Sequence, residues 1–222
     1  MTIKEMHIMF RELAQQMGQH TVRAIFPEDI DNCINAVIIK KVKDILTSNV
    51  GVNFADKTAK QNTSINPINA LRTLVRHENI TENIEGNGSE LEPFKVSINN
   101  EQVMIYTQFN VSYDGNKLYD CRLVDNDRLI QTLHDYINRA SKTAPITVIF
   151  NDTSETTLQI YTGKNKTKPT TIQYYYIKLP NKVYYDENNI ADVNCDLPEY
   201  LHTIIVEDAI NYYLTSMGVV SK

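Results

Sequence analysis

The sequence predicts an α+β protein: a helical-bundle core formed by the N- and C-terminal helices, with an inserted β-rich domain containing one helix. Three observations lead there. Apolar residues recur at helical spacing near both ends of the 222-residue chain, and alternate with polar ones in its middle. Turn signals cluster between 85 and 89, where the pattern changes. The closing stretch, 196–218, carries two apolar stripes, where a helix lying on the outside of a monomer needs one. The organisation expected is 1–79 as the first part of a helical adaptor core, 80–195 as the inserted β-rich domain, and 196–222 as the closing helix.

Residues 2–18 read as the first helix. Ile3, Met6, Phe10, Leu13 and Met17 make one stripe, and Thr2 with Glu5 forms a capping-box pattern. A second helix is expected over 27–47, opened by Pro27-Glu28-Asp29 and closed by Lys40, Lys41 and Lys43, which suit the two ends of a helix dipole. Residues 48–66 are polar and read as a long loop or arm. Asn66-Pro67 then starts a short helix running to about His77, with Arg72, Arg76 and His77 on a basic outer side that reads as a solvated face or, alternatively, a local phosphate contact. In the middle, 103–111 alternates as a strand, Tyr113-Asp114-Gly115-Asn116 reads as a hairpin turn, and 118–124 returns as the second strand. A helix is expected from Asp125 or Asn126 through Leu129, Ile130, Leu133, Ile137 and Ala140, stopped before Pro145. Strands over 146–150, 157–162 and 171–179 follow. In the closing helix Pro198 suits the first position and Gly218 the left-handed cap. Leu201, Ile204, Ile205, Ala209 and Tyr212 form its first stripe; Val206, Ile210, Tyr213 and Met217 form the second. With Met9, that second stripe is the expected subunit or portal interface.

Composition narrows the function classes. A net charge of −5 and a pI near 5.6 argue against a general nucleic-acid binder. Cys33, Cys121 and Cys195 are widely spaced, with neither a CxxC pair nor metal-ligand spacing, and read as free thiols of a reducing compartment. No signal peptide is expected at the start, and no apolar run approaches the roughly 20 residues that span a bilayer. The Asn-x-Ser/Thr triplets, such as Asn110-Val111-Ser112 and Asn165-Lys166-Thr167, read as chance matches in an Asn-rich chain.

No constellation of catalytic residues emerges. The five histidines (His7, His20, His77, His134 and His202) form no metal-binding pair. Glu207 and Asp208 are helix neighbours that point apart. Gly86 and Gly88 give only GxG, and GxSxG and P-loop motifs are missing. No catalytic, cofactor-binding or metal-ligating residue is therefore assigned. The candidate nucleic-acid contact is Lys164, Lys166 and Lys168, with Tyr161 and Tyr174, Tyr175 and Tyr176 available for stacking.

Leu197-Pro198-Glu199-Tyr200-Leu201-His202, followed by Ile205-Val206-Glu207-Asp208-Ala209, resembles the closing helix of neck proteins in tailed bacteriophages. Ile3-Lys4-Glu5-Met6-His7-Ile8-Met9-Phe10-Arg11-Glu12-Leu13 is similar to a ring protein of crAss-like phages, as is Asp135-Tyr136-Ile137-Asn138-Arg139-Ala140-Ser141. What the resemblance implies is a non-enzymatic head-to-tail connector: a homo-oligomeric ring of twelve copies under the portal protein, joined to other neck and tail proteins. It would be assembled in the host cytoplasm and sit in the virion, with genomic double-stranded DNA passing its lumen without specific binding and with no membrane contact. The family brings no catalytic residue and no cofactor. The alternative is a small nucleic-acid-binding or host-modulating phage protein that uses the 164–168 loop.

Overall fold

The computed structural model describes residues 1–16, 25–50, 70–98, 102–151, 156–187 and 191–217, with the backbone alone for 47–50 and 151. The chain divides into two compact units, Val75–Leu179 and the pair Met1–Leu74 with Pro180–Lys222.

The unit Val75–Leu179 is a curled seven-stranded sheet. Its strands are β1 (Val75–Ile80), β2 (Phe94–Ile98), β3 (Val103–Ser112), β4 (Leu118–Leu123), β5 (Ile146–Asn151), β6 (Thr156–Tyr161) and β7 (Thr171–Lys178). They lie in the order β1-β7-β3-β4-β5-β6-β2. The β3–β4 hairpin turns where the sequence predicts it. Gly115 takes φ +77°, and Asp114 Oδ1 accepts the N–H groups of Asn116 and Lys117. β4 and β5 pair in parallel, Arg122 opposite Ile146, because the chain between them crosses over instead of turning back. Every other named pairing is antiparallel. One core gathers Phe94, Val96, Phe109, Val111, Leu158, Ile160, Ile172 and Tyr174, and a smaller one gathers Leu129, Ala140, Ile146, Val148 and Tyr161.

The other unit holds α1 (Ile3–Gln16) and α2 (Pro27–Val50), followed by a 3-10 turn, Arg72–Leu74. It is completed by the segment from Pro180 and by α4 (His202–Ser216), entered through a second 3-10 turn, Glu199–Leu201. The capping box of α1 is made as the sequence predicts: Thr2 N–H donates to Glu5 Oε2 and Glu5 N–H to Thr2 Oγ1. Ile3, Met6 and Phe10 of α1, Ile30, Ile34 and Ile38 of α2, and Ile205, Val206 and Ala209 of α4 are fully or almost fully buried. Polar bonds pin the non-helical segment to α2. Asn35 donates to the Val183 carbonyl and accepts from its N–H, and Asp31 Oδ2 accepts the N–H of Tyr185.

These observations correct the expected architecture. The protein is mixed α/β and rich in β-structure, with a seven-stranded sheet, and does not have the expected helical-bundle core; the sheet unit does fall, in sequence, between the two segments of the other unit. Two expected helices supplied much of the error. The segment read as helical up to His77 is the edge strand β1 from Val75 onward. The helix expected over 125–140 is the six-residue α3 (Leu129–His134), after which Tyr136 and Ile137 stand exposed in a turn. The 85–89 turn is no domain boundary, because Glu85 bridges to Lys95 inside the sheet unit. Pro198 precedes the 3-10 turn with φ −57° and ψ 143°, so it stands outside the helix instead of opening it. Met17, Gly218, most of the 48–66 arm and the Asn66-Pro67 cap lie outside the described residues.

Candidate functional site

Two surfaces bear on function, one in each unit. The first is the outer side of α4. The two apolar stripes of the closing helix merge in the structure into one buried band, Ile205, Val206, Ala209, Ile210 and Leu214. This corrects the interface expectation for Val206 and Ile210: both are buried within their own unit and are not free to meet a partner. Tyr213 is half-buried, with its ring edge-on to Phe10 at 5.9 Å between centroids. Met9 is half-buried on α1, and Met217 is 58% exposed.

What α4 leaves outside comes from the other stripe. Tyr200, Ile204 and Tyr212 are 60%, 43% and 54% exposed. Ile204, Asp208 and Tyr212 follow one another at four-residue steps, so they share a face. Asp208 on that face holds Lys41 of α2 in an ion pair at 2.6 Å. Ile8 and Phe26 add further exposed apolar area in the same unit. In the sheet unit, Leu91, Ile130, Tyr136 and Ile137 are almost wholly open to solvent. Buried area normally claims side chains of this kind, and a soluble monomer exposes contiguous patches of them sparingly.

The second surface is a cleft of about 650 Å³ in the sheet unit. Three loops build it: the Gly88–Leu91 turn before β2, the α3 end with Arg139 and Ala140, and the turn after β6 with Gly163, Lys164 and Lys166. Close backbone approaches lock these loops together. A Cβ on Gly163, which has φ +78°, would lie 2.3 Å from the Ala140 carbonyl oxygen. A Cβ on Gly88 would lie 2.6 Å from the Phe94 ring and 3.2 Å from Lys166 Cα. Lys166 itself takes φ +46°, a conformation that costs a side-chain-bearing residue about 1 kcal/mol or more. Leu91, Leu133 and Tyr161 supply an apolar wall, and Glu90 reaches His134 at 3.6 Å. Lys164 and Lys166 therefore line this cleft together, whereas Lys168 is exposed and stands outside its lining. Of the tyrosines proposed to stack bases, Tyr161 lines the cleft and Tyr174, Tyr175 and Tyr176 do not. Tyr174 is buried in the sheet core and donates to Glu78 Oε2, and Tyr161 is itself buried.

Burial raises the pKa of all three cysteine thiols, that of Cys121 to about 12, so none is poised as a thiolate. Among the described residues no cluster of His, Cys, Asp and Glu has the geometry to hold a metal ion. His7 and His202 are both buried. His7 Nε2 meets Asp31 Oδ1 at 2.8 Å, and His202 Nε2 donates to the Leu197 carbonyl at 2.9 Å. Sequence reasoning missed the His7–Asp31 pair because its members stand 24 residues apart on different helices. It missed Arg139 for a related reason, having placed that residue inside a helix. No helix among the described residues is long and apolar enough to cross a membrane. No protein-family model and no curated protein matches the chain.

Proposed function

We propose that the protein is a non-enzymatic structural subunit of a ring in the neck of a tailed bacteriophage, joining the portal to the tail. One observation carries the reading: Ile204 and Tyr212, which α4 leaves exposed, together with Tyr200 in the turn that enters it. The first two stand on a helix whose opposite side is already packed. Burying the exposed parts of those three side chains against a neighbour would contribute several kcal/mol at about 25 cal/mol per Å², which suits a contact made many times around a ring. The resemblance of both chain ends to neck and ring proteins supplies the setting. The net charge of −5 suits a channel wall that lets DNA pass without holding it, since cationic side chains are what bind phosphates.

The test is native mass of the full chain, alone and with the portal protein of the same virus, for the wild type and for Ile204→Asp combined with Tyr212→Asp. A ring-sized species, or binding to the portal in fixed multiple copies, is expected for the wild type. The double variant should lose it while keeping its helical circular dichroism. A wild-type monomer that ignores the portal, or a double variant that assembles normally, would overturn the reading.

A further inference from the structure

We propose that the cleft of the sheet unit binds a nucleotide through its phosphates. The argument begins with charge. Arg139, Lys164 and Lys166 line the cleft beside one carboxylate, Glu90, which lies 3.6 Å from His134. None of the three has an ion-pair partner among the described residues. A protein with a net charge of −5 thus concentrates positive charge in one concavity. Local fields of that kind, focused by low-dielectric walls, raise the concentration of anions at the site. A single carboxylate would leave most of this charge unbalanced, whereas a di- or triphosphate matches it. The guanidinium of Arg139 is suited to hold two phosphate oxygens at once, and the two ammonium groups act as point charges.

The shape narrows the ligand further. The volume of about 650 Å³ is that of a small-molecule site and excludes a duplex. The wall formed by Leu91, Leu133 and Tyr161 gives the flat apolar body of a nucleoside something to rest on. The cations are also pre-positioned. Lys166 is held in a left-handed conformation with its Cα against Gly88, and Gly163 is pressed onto the Ala140 carbonyl beside Arg139. The positive φ of Lys166, costly for a residue with a side chain, marks a place where geometry is being enforced.

The experiment is calorimetric titration of the full chain with ADP, pyrophosphate, adenosine and an oligothymidine, at low and moderate salt. ADP should bind, more tightly than pyrophosphate or adenosine, and more weakly as salt rises. Lys164→Glu with Lys166→Glu should weaken ADP binding by about tenfold or more, each reversal being worth at least a sizeable part of 1.4 kcal/mol. Both lysines are exposed, so that variant should melt at the wild-type temperature; Arg139→Gln provides a second, milder reading of the same loss. Failure of ADP to bind at millimolar concentration, or binding unchanged in both variants, would overturn the proposal. Equal binding of pyrophosphate and ADP would remove the nucleoside from it. Oligothymidine binding without ADP binding would replace it with a strand-tracking groove. The inference is independent of the ring reading, and Ile204→Asp with Tyr212→Asp should bind ADP like the wild type.

Discussion

Replacing Ile210 by alanine separates internal packing from assembly. Ile210 is 1% exposed, on the side of α4 that also buries Ile205, Val206 and Leu214. The substitution removes three carbons. At about 0.8 kcal/mol per buried methylene the transfer loss is about 2.4 kcal/mol. Incomplete collapse of the cavity adds to that, so a total of about 3–4 kcal/mol is expected, inside the usual range of about 2–5 for such changes. The companion is Ile204→Ala, six residues earlier and 43% exposed, where the same transfer arithmetic scaled by the buried share gives a loss of about 1 kcal/mol. The assay is urea unfolding followed by helical circular dichroism, because α1, α2 and α4 all lie in the unit under test. With a urea slope of about 2 kcal/mol/M, Ile210→Ala should lower the midpoint of the helical transition by about 1.5 M or more. Ile204→Ala should lower it by only about 0.5 M and act chiefly on assembly. Equal midpoints for Ile210→Ala and the wild type would show that Ile210 is not core, and the placement of both stripes would then have to be reversed.

Three other outcomes follow from single contacts. Gly163→Ala should destabilise the sheet unit by more than about 1 kcal/mol and blunt the cleft, because its Cβ would meet the Ala140 carbonyl and its φ is +78°; hydrogen exchange in β6 and the following turn reports it. Asp31→Ala should cost the helical unit about 3–5 kcal/mol in urea unfolding, since it strips the buried His7 ring and the Tyr185 N–H of their partner together; a loss below about 1 kcal/mol would refute that. Alkaline pH should weaken the sheet unit. Burial, with Glu78 and then Tyr176 nearby, pushes the Tyr106 hydroxyl up to about 12 from 10.0. The folded state therefore holds that proton longer than the unfolded one. Stability from Tyr106 is complete below pH 10 and is lost as pH rises towards 12, readable by tyrosinate absorbance together with thermal melting.

Strand and helix existence was legible where the pattern was long or the turn chemistry explicit. The capping box of α1, the Asp114-Gly115 hairpin and the alternating half of β3 all have local causes, and each can be read from a few adjacent residues. β1 hid because an edge strand open on both faces carries no alternation: Arg76, His77, Glu78 and Asn79 are all exposed. β2 did alternate, with Phe94, Val96 and Ile98 buried and Lys95 and Ser97 out, but it follows turn residues that drew attention to a boundary instead. The short α3 shows the opposite failure. Leu129, Leu133 and Ile137 have helical spacing, yet Asp135 ends the helix with extended backbone and turns its carboxylate onto the Ile137 N–H. A side chain that bonds its own backbone in this way competes with the helix ladder, and here it won.

That early ending has a consequence for the cleft. Had the helix continued to Ala140, Arg139 would sit on its surface at a position set by the helix register. Ending at His134 frees the chain to turn, so Arg139 comes to line the same concavity as Lys164 and Lys166. Asp135 anchors the turn twice over, accepting from the Ile137 N–H at 2.9 Å and from the Asn138 side chain at 2.6 Å. Those bonds, the one from the Asn138 side chain first and the one from the Ile137 N–H second, hold the Asp135 carboxyl below the usual carboxylate range. The basic cleft thus depends on a residue that does not line it. A lysine loop visible in the sequence became a site only when a helix stopped short and brought a third cation to it.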